Sequence, residues 1–163
     1  NLLLNIPPNR QGLFAENDVK SMIGFKKLLD QEFKNEVKPL KVTSTFNRGK
    51  EYVAQNMADN NPNTYWATKD NVTTASAEFN FGKPVELNRV MLQEYIKLGQ
   101  RIKDFKMEAF VDGQWKPLTE GTTIGHKVIK KCELTKTNKV RLTVEAKACP
   151  IISNVKFYLA PTK

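Results

Sequence analysis

The chain has 163 residues, 40% of them hydrophobic, and its 26 Lys and Arg against 17 Asp and Glu give a formal net charge of +9. That length suits one ordinary domain with a short extension, and no apolar run is long enough to cross a membrane. The lysines are scattered singly (Lys38, Lys41, Lys50, Lys69, Lys83, Lys97, Lys103, Lys106), with no Arg-rich stripe and no nucleic-acid motif, so the excess charge reads as a solvated surface and excludes a nucleic-acid footprint.

Residues Leu2-Leu3-Leu4-Asn5-Ile6 form an apolar run bounded by Pro7-Pro8 and Gly12. This is how a strand covered on both faces reads. Glu16-Asn17-Asp18 then opens a helix, with acid at the positive end of its dipole. Val19, Met22, Ile23, Leu29 and Phe33 recur at helical spacing, widened by Phe25 and Leu28, and Asn35 to Pro39 closes the segment. The orphan strand and the helix stripe are both expected to find cover. The strand would pair with a second copy in a dimer or dock on its own domain; the stripe would pack on the domain that follows.

From Leu40 the apolar period becomes two. Ala77, Phe79 and Phe81 alternate with polar residues. Phe105, Met107, Ala109 and Val111 alternate with Lys106, Glu108 and Phe110, Val140, Leu142, Val144 and Ala146 with Arg141, Thr143 and Glu145, and Val155, Phe157 and Leu159 repeat the period. Asp112-Gly113 before Gln114-Trp115 predicts a hairpin turn. Seven or more such strands with no helix between them predict an all-β antiparallel sandwich or jelly roll over residues 39–163, after a strand-plus-helix unit over residues 1–38. The pair Cys132 and Cys149 is too small for a disulfide framework, and one bridge or two buried thiols both stay open. The single His126 excludes a His-rich metal site.

Several segments carry a family likeness. Lys41-Val42-Thr43-Ser44, Met57 to Ala67, Ala77 to Gly82, Ile102 to Glu108, Asp112 to Trp115, Val140 to Leu142 and Ile151 to Ser153 follow in an order that resembles the discoidin-type domain of clotting factors V and VIII, the fold of family 32 carbohydrate-binding modules. Asn1 to Leu13 resembles the segment that closes the catalytic barrel of bacterial α-L-fucosidases, and Gln93 to Ile102 resembles the discoidin-type module appended to them. The resemblance implies a non-catalytic carbohydrate-binding module cut from the C-terminus of a secreted or periplasmic bacterial glycoside hydrolase, with a glycan and the parent barrel as partners. The alternatives are a module that braces the barrel without binding free sugar, or the module of a related glycosidase such as a chitobiase or hexosaminidase.

Two constellations could carry chemistry. Asp59-Asn60-Asn61-Pro62-Asn63-Thr64 gathers a carboxylate, a hydroxyl and free carbonyls on a bent chain, the donors a hard cation needs. The resemblance implies a structural Ca²⁺ held by Asp59, Thr64 and the Asn61 carbonyl, with Asn154 standing where the family usually has a glutamate. A turn that satisfies its own backbone is the other reading. The second constellation is a set of aromatic and planar polar groups on sandwich-end loops, which suits a sugar's apolar face and hydroxyl ring. Its members are Tyr65, Trp66, Glu94, Tyr95, Gln100, Arg101 and His126. Glu94 and Arg101 lead this set, because their loop mixes charge, Gly and Tyr. Trp66 reads rather as a core ring, Trp115 as strand packing, Arg141 as a salt-bridge partner and His126 as a surface histidine. Asp18, Asp30, Glu32 and Glu36 read as the solvated face of the helix rather than a glycosidase acid–base pair.

Overall fold

The computed structural model describes residues 4–162. The first regular element is α1 (Glu16–Glu32), which starts where the acidic cluster predicts. Eight strands follow: β1 (Glu36–Val37), β2 (Lys41–Ser44), β3 (Trp66–Ala67), β4 (Thr74–Glu94), β5 (Ile102–Val111), β6 (Gln114–Gly121), β7 (Val128–Ala146) and β8 (Ile151–Tyr158). Every pairing is antiparallel.

Two layers arise because β4 and β7 each run through both. The first half of β4 pairs with β2 on one side and with the second half of β7 on the other; β5 and β6 then extend that layer. The second half of β4 pairs with the first half of β7 and with β8, whose free side takes β3 and β1. The crossing point is a register break between Asn80 and Val85, where Gly82 sits at φ 73°. A bulge with glycine in the left-handed region bends the strand sharply enough to change layer. The result is a β-sandwich whose eight strands form one continuous ladder.

The predicted alternation holds. Ala75, Ala77, Phe79 and Phe81 point inward from β4, and Val140, Leu142, Val144 and Ala146 from β7. Phe157 of β8 meets Phe79 and Phe81 edge-on, at centroid distances of 5.2 and 5.3 Å, so the two layers interlock through aromatic rings. Each such fully buried side chain contributes roughly 1.5–3 kcal/mol of transfer free energy. The Asp112-Gly113 turn has φ 53° and 78°, the left-handed pair a tight hairpin requires. Trp115 packs edge-on to Phe110 and beneath the Arg141 guanidinium, which itself binds Glu108 at 2.7 Å. Cys132 and Cys149 are both free thiols, and burial pushes Cys132 up to about 11.

The N-terminal segment departs from expectation. Leu2 and Leu3 lie outside the described residues, and residues 4–9 form no strand. Leu4 is exposed, and the chain then folds into a turn in which the Asn9 side chain accepts from the backbone of Gln11 and Leu13. Nor does the α1 stripe pack on the sandwich. No residue of α1 is buried, and Val19, Ile23, Phe25, Leu28 and Leu29 face solvent. Its C-terminal half stands over the domain across an open groove that Phe25, Leu28 and Leu29 share with Arg89, Cys132 and Leu134, and it is tied down at its end: Glu32 binds Arg89 at 2.8 Å, and Phe33, just beyond it, meets Tyr158 edge-on at 5.1 Å. The short connection to β1 ties down one end of this 17-residue helix.

Candidate functional site

Strand direction gathers the long loops at one end of the sandwich. β4 and β7 each start and finish there, β5 and β8 each have one terminus there, and the Asp112-Gly113 turn lies at the other. The loops at this end are held by buried polar groups. Glu94 is 3% exposed; its Oε1 accepts the backbone N–H of Arg101 (2.6 Å) and Ile102 (2.9 Å), and its Oε2 accepts that of Gly125 (2.6 Å). One carboxylate thus pins the 95–101 loop to the 122–127 loop. Trp66 is fully buried, and its indole N–H donates to the Phe46 carbonyl at 2.9 Å. The backbone N–H of Arg48 donates to Ala67 at 2.7 Å, and Asn56 donates to the carbonyls of Glu51 and Tyr65. Trp66 therefore acts from beneath, shaping the surface without forming it, and Glu94 holds two loops together while showing little of itself to solvent.

Two clefts flank the Tyr95–Leu98 turn. The first, about 340 Å³, is lined by Arg48, Tyr52, Tyr65, Ala67, Asp70, Leu98, Arg101, Cys149 and Ile151. Tyr65 stacks on Tyr95 at 4.3 Å with 22° between planes, and Tyr52 leans on Tyr65 at 5.0 Å, which makes a row of three rings. Arg48 grips Asp70 through both carboxylate oxygens, at 2.5 and 3.1 Å. That guanidinium holds the Asp70 carboxyl below its ordinary range. Arg101 donates to the Cys149 carbonyl (3.2 Å) and sulfur (2.8 Å) and reaches the Leu98 carbonyl at 3.4 Å. Burial, reinforced by the Tyr52 hydroxyl, pushes the Tyr65 phenol up, so it stays a neutral donor.

The second cleft, about 290 Å³, is lined by Pro62, Asn63, Gln93, Glu94, Tyr95, Ile96, Lys97, His126, Ser153 and Asn154. His126 is exposed on its rim, and its carbonyl accepts from Gln93 at 3.3 Å. Gln100 lies against Gly125 and lines neither cleft. A larger groove of about 450 Å³ beside β5, β6 and β7 has one ring, Phe105, and that ring is buried.

The Asp59–Thr64 loop closes on itself. Asp59 accepts from the Asn61 N–H (2.8 Å) and the Thr64 hydroxyl (2.6 Å), and the Asn61 side chain accepts from the Asn63 N–H (3.0 Å). Asn60 takes φ 61° to permit the bend. The side-chain oxygen of Asn154 is buried without a hydrogen-bond partner, in the cleft that Pro62 and Asn63 also line. Among the described residues no three His, Cys, Asp or Glu side chains gather into a metal cluster.

Of the residues singled out from sequence, Tyr65 and Arg101 meet in the first cleft, while Tyr95, Glu94, His126 and Asn154 meet in the second. Arg48, Tyr52, Asp70 and Cys149 were not foreseen. Arg48 and Tyr52 sit in an aperiodic stretch before the Met57–Ala67 segment, and Asp70 in the polar run after it. A search for cations and rings on every sandwich-end loop finds Arg48 and Tyr52, but nothing in residue type marks Asp70 or Cys149.

Comparison with known proteins gives these features a context. The F5/8 type C domain model matches residues 40–155. Alpha-L-fucosidase 1 of Arabidopsis thaliana is 29% identical over 165 residues, covering 96% of this chain and 33% of that protein. A Ruminococcus gnavus GH29 fucosidase solved in complex with fucose superposes with a TM-score of 0.86 at 32% identity, over 98% of this chain and 33% of that one. A chitosan-binding module of a Paenibacillus chitosanase/glucanase shares the fold, with a TM-score of 0.69 at 16% identity over 77% of this chain and 98% of that one. The chain spans about a third of the length of the curated relatives it matches. The extent of the model match, with a sandwich whose long loops gather at one end, establishes that the chain belongs to the F5/8 type C domain family.

Proposed function

We propose that the chain is a non-catalytic carbohydrate-binding module that accompanies an α-L-fucosidase-type glycoside hydrolase domain and holds a glycan in the Arg48–Tyr52–Arg101 cleft. The observation that carries this reading is the cleft itself: aromatic rings, planar guanidinium and carboxylate groups, and an open mouth at the sandwich end away from α1. Sugars present an apolar face for rings and hydroxyls for bidentate partners. Tethering to a glycan raises the local concentration of substrate for an attached enzyme. The exposed stripe of α1 supports a second, compatible role: it offers the attached domain an apolar face to rest on. A glycan array with the wild-type chain and Tyr52→Ala tests the binding role. Retention of a glycan by wild type that weakens about tenfold or more in the variant supports it; no glycan retained at any concentration leaves bracing alone.

The Asp59–Thr64 loop with Asn154 is also proposed to hold a structural Ca²⁺. The donors are all oxygen, which suits calcium, and the unpartnered Asn154 oxygen supports the fit. With one carboxylate in the set, affinity should be modest. Chelation is expected to lower the melting temperature of the wild type and leave that of Asp59→Ala unchanged. Identical wild-type melting curves with and without chelator would sink the idea.

A further inference from the structure

We infer that the saccharide held in this cleft is anionic, a glycan bearing a uronate carboxylate, and that Arg101 is the residue that grips it. The inference rests on the proposed binding role and goes to ligand class. Its ground is the charge balance of the cleft. Two guanidinium groups line it, Arg48 and Arg101, against one carboxylate, Asp70. Arg48 engages both oxygens of Asp70, so that pair is internally neutralised. Arg101 makes no ion pair among the described residues, although Asp70 feels its charge at longer range; its hydrogen bonds go to the Cys149 carbonyl and sulfur and the Leu98 carbonyl, all uncharged acceptors. The other acid at this end, Glu94, lies beneath the loop with its oxygens committed to three backbone N–H groups, so it does not neutralise Arg101.

The cleft therefore carries an uncompensated positive charge on a side chain that is positioned but unsatisfied. Three acceptors are assigned for the five N–H donors of a guanidinium, so Arg101 keeps two for a ligand. A guanidinium fork matches a planar carboxylate, and hydrogen bonds between ionised partners are about twice as strong as neutral ones. The surroundings lean the same way: exposed Lys50, Lys69 and Lys147 lie within two residues of cleft-lining positions in the chain, against one exposed acid, Glu51. A neutral sugar would use the rings and the Arg48–Asp70 pair and leave the Arg101 charge idle.

Matched oligosaccharide sets decide the matter. Each set holds a uronate-bearing chain, its carboxyl-reduced counterpart and a sulfated neutral chain, presented on an array and titrated by calorimetry. The wild type should bind one uronate form about tenfold or more tightly than its reduced counterpart, with the difference shrinking at high salt. Arg101→Gln should erase the preference. Because that change also frees the Cys149 carbonyl, Asp70→Asn serves as the second variant: it removes the only anion in the cleft and should widen the preference, which mere loss of structure does not do. Equal binding of the uronate and reduced forms overturns the inference and leaves the binding role standing, as does a preference confined to the sulfated chain. No binding of any form overturns the binding role itself.

Discussion

A carboxylate buried beneath a binding loop can look, in sequence, like a ligand contact. Glu94 was a leading candidate because it sits in a loop rich in charge and Gly, yet the structure gives it three backbone partners and 3% exposure. Glu94→Ala should cost about 3 kcal/mol, since it leaves buried N–H groups without an acceptor; chemical denaturation reads this directly. Glu108 is the complementary case. The Lys106 ammonium, followed by Arg141, holds its carboxyl below the ordinary value of 4.5. A depressed folded pKa contributes stability that is present above the unfolded value and is lost as pH falls through the folded one. The melting temperature of the wild type should therefore drop below pH 4.5 more steeply than that of Glu108→Gln. Parallel profiles would mean the ion pair contributes nothing.

At the scale of elements, the sandwich depends on two long strands that bend. Gly82 permits the bend in β4 at φ 73°, and a Cβ there would come within 3.0 Å of Leu40 Cδ2. Gly82→Ala should destabilise by about 1–2 kcal/mol from backbone strain, seen as a lower denaturant midpoint at unchanged slope. The period-two pattern made the strands legible, because Phe79, Met107, Leu142 and Phe157 each face a core that must be apolar. It did not reveal that β4 and β7 each cross between layers, since a bulge shifts phase by a residue or so without interrupting the apolar content. The site was half legible for a related reason. Tyr65 and Arg101 announce themselves by residue type. Arg48 and Tyr52 lie on a stretch fastened by the Trp66 and Asn56 side chains, and Asp70 joins them through its pair with Arg48, tertiary contacts that local spacing does not encode. The helix was read correctly in place and wrongly in packing: amphipathicity says that a face wants cover, not which body covers it.

For the whole molecule, the division is between a cooperative sandwich and a helix held at one end. A chain beginning at Asn35 keeps β1 and should still melt cooperatively, losing about 1–3 kcal/mol as Arg89 gives up Glu32 and Tyr158 gives up Phe33. Amides of α1 in the intact chain should exchange with solvent far faster than those of β4, because no α1 residue is buried. Collapse of the shortened chain would show that the helix belongs to the fold rather than lying on it.

β8 connects these two worlds. It begins at Ile151 in the cleft and ends at Tyr158 under Phe33, a run of about 23 Å at roughly 3.3 Å per residue. Whatever is fastened to the helix end is therefore kept a full strand length from the mouth. A biotin, a dye or a chip surface attached at the α1–β1 junction would leave the mouth facing free solution, so the proposed sugar site could be probed on an immobilised chain.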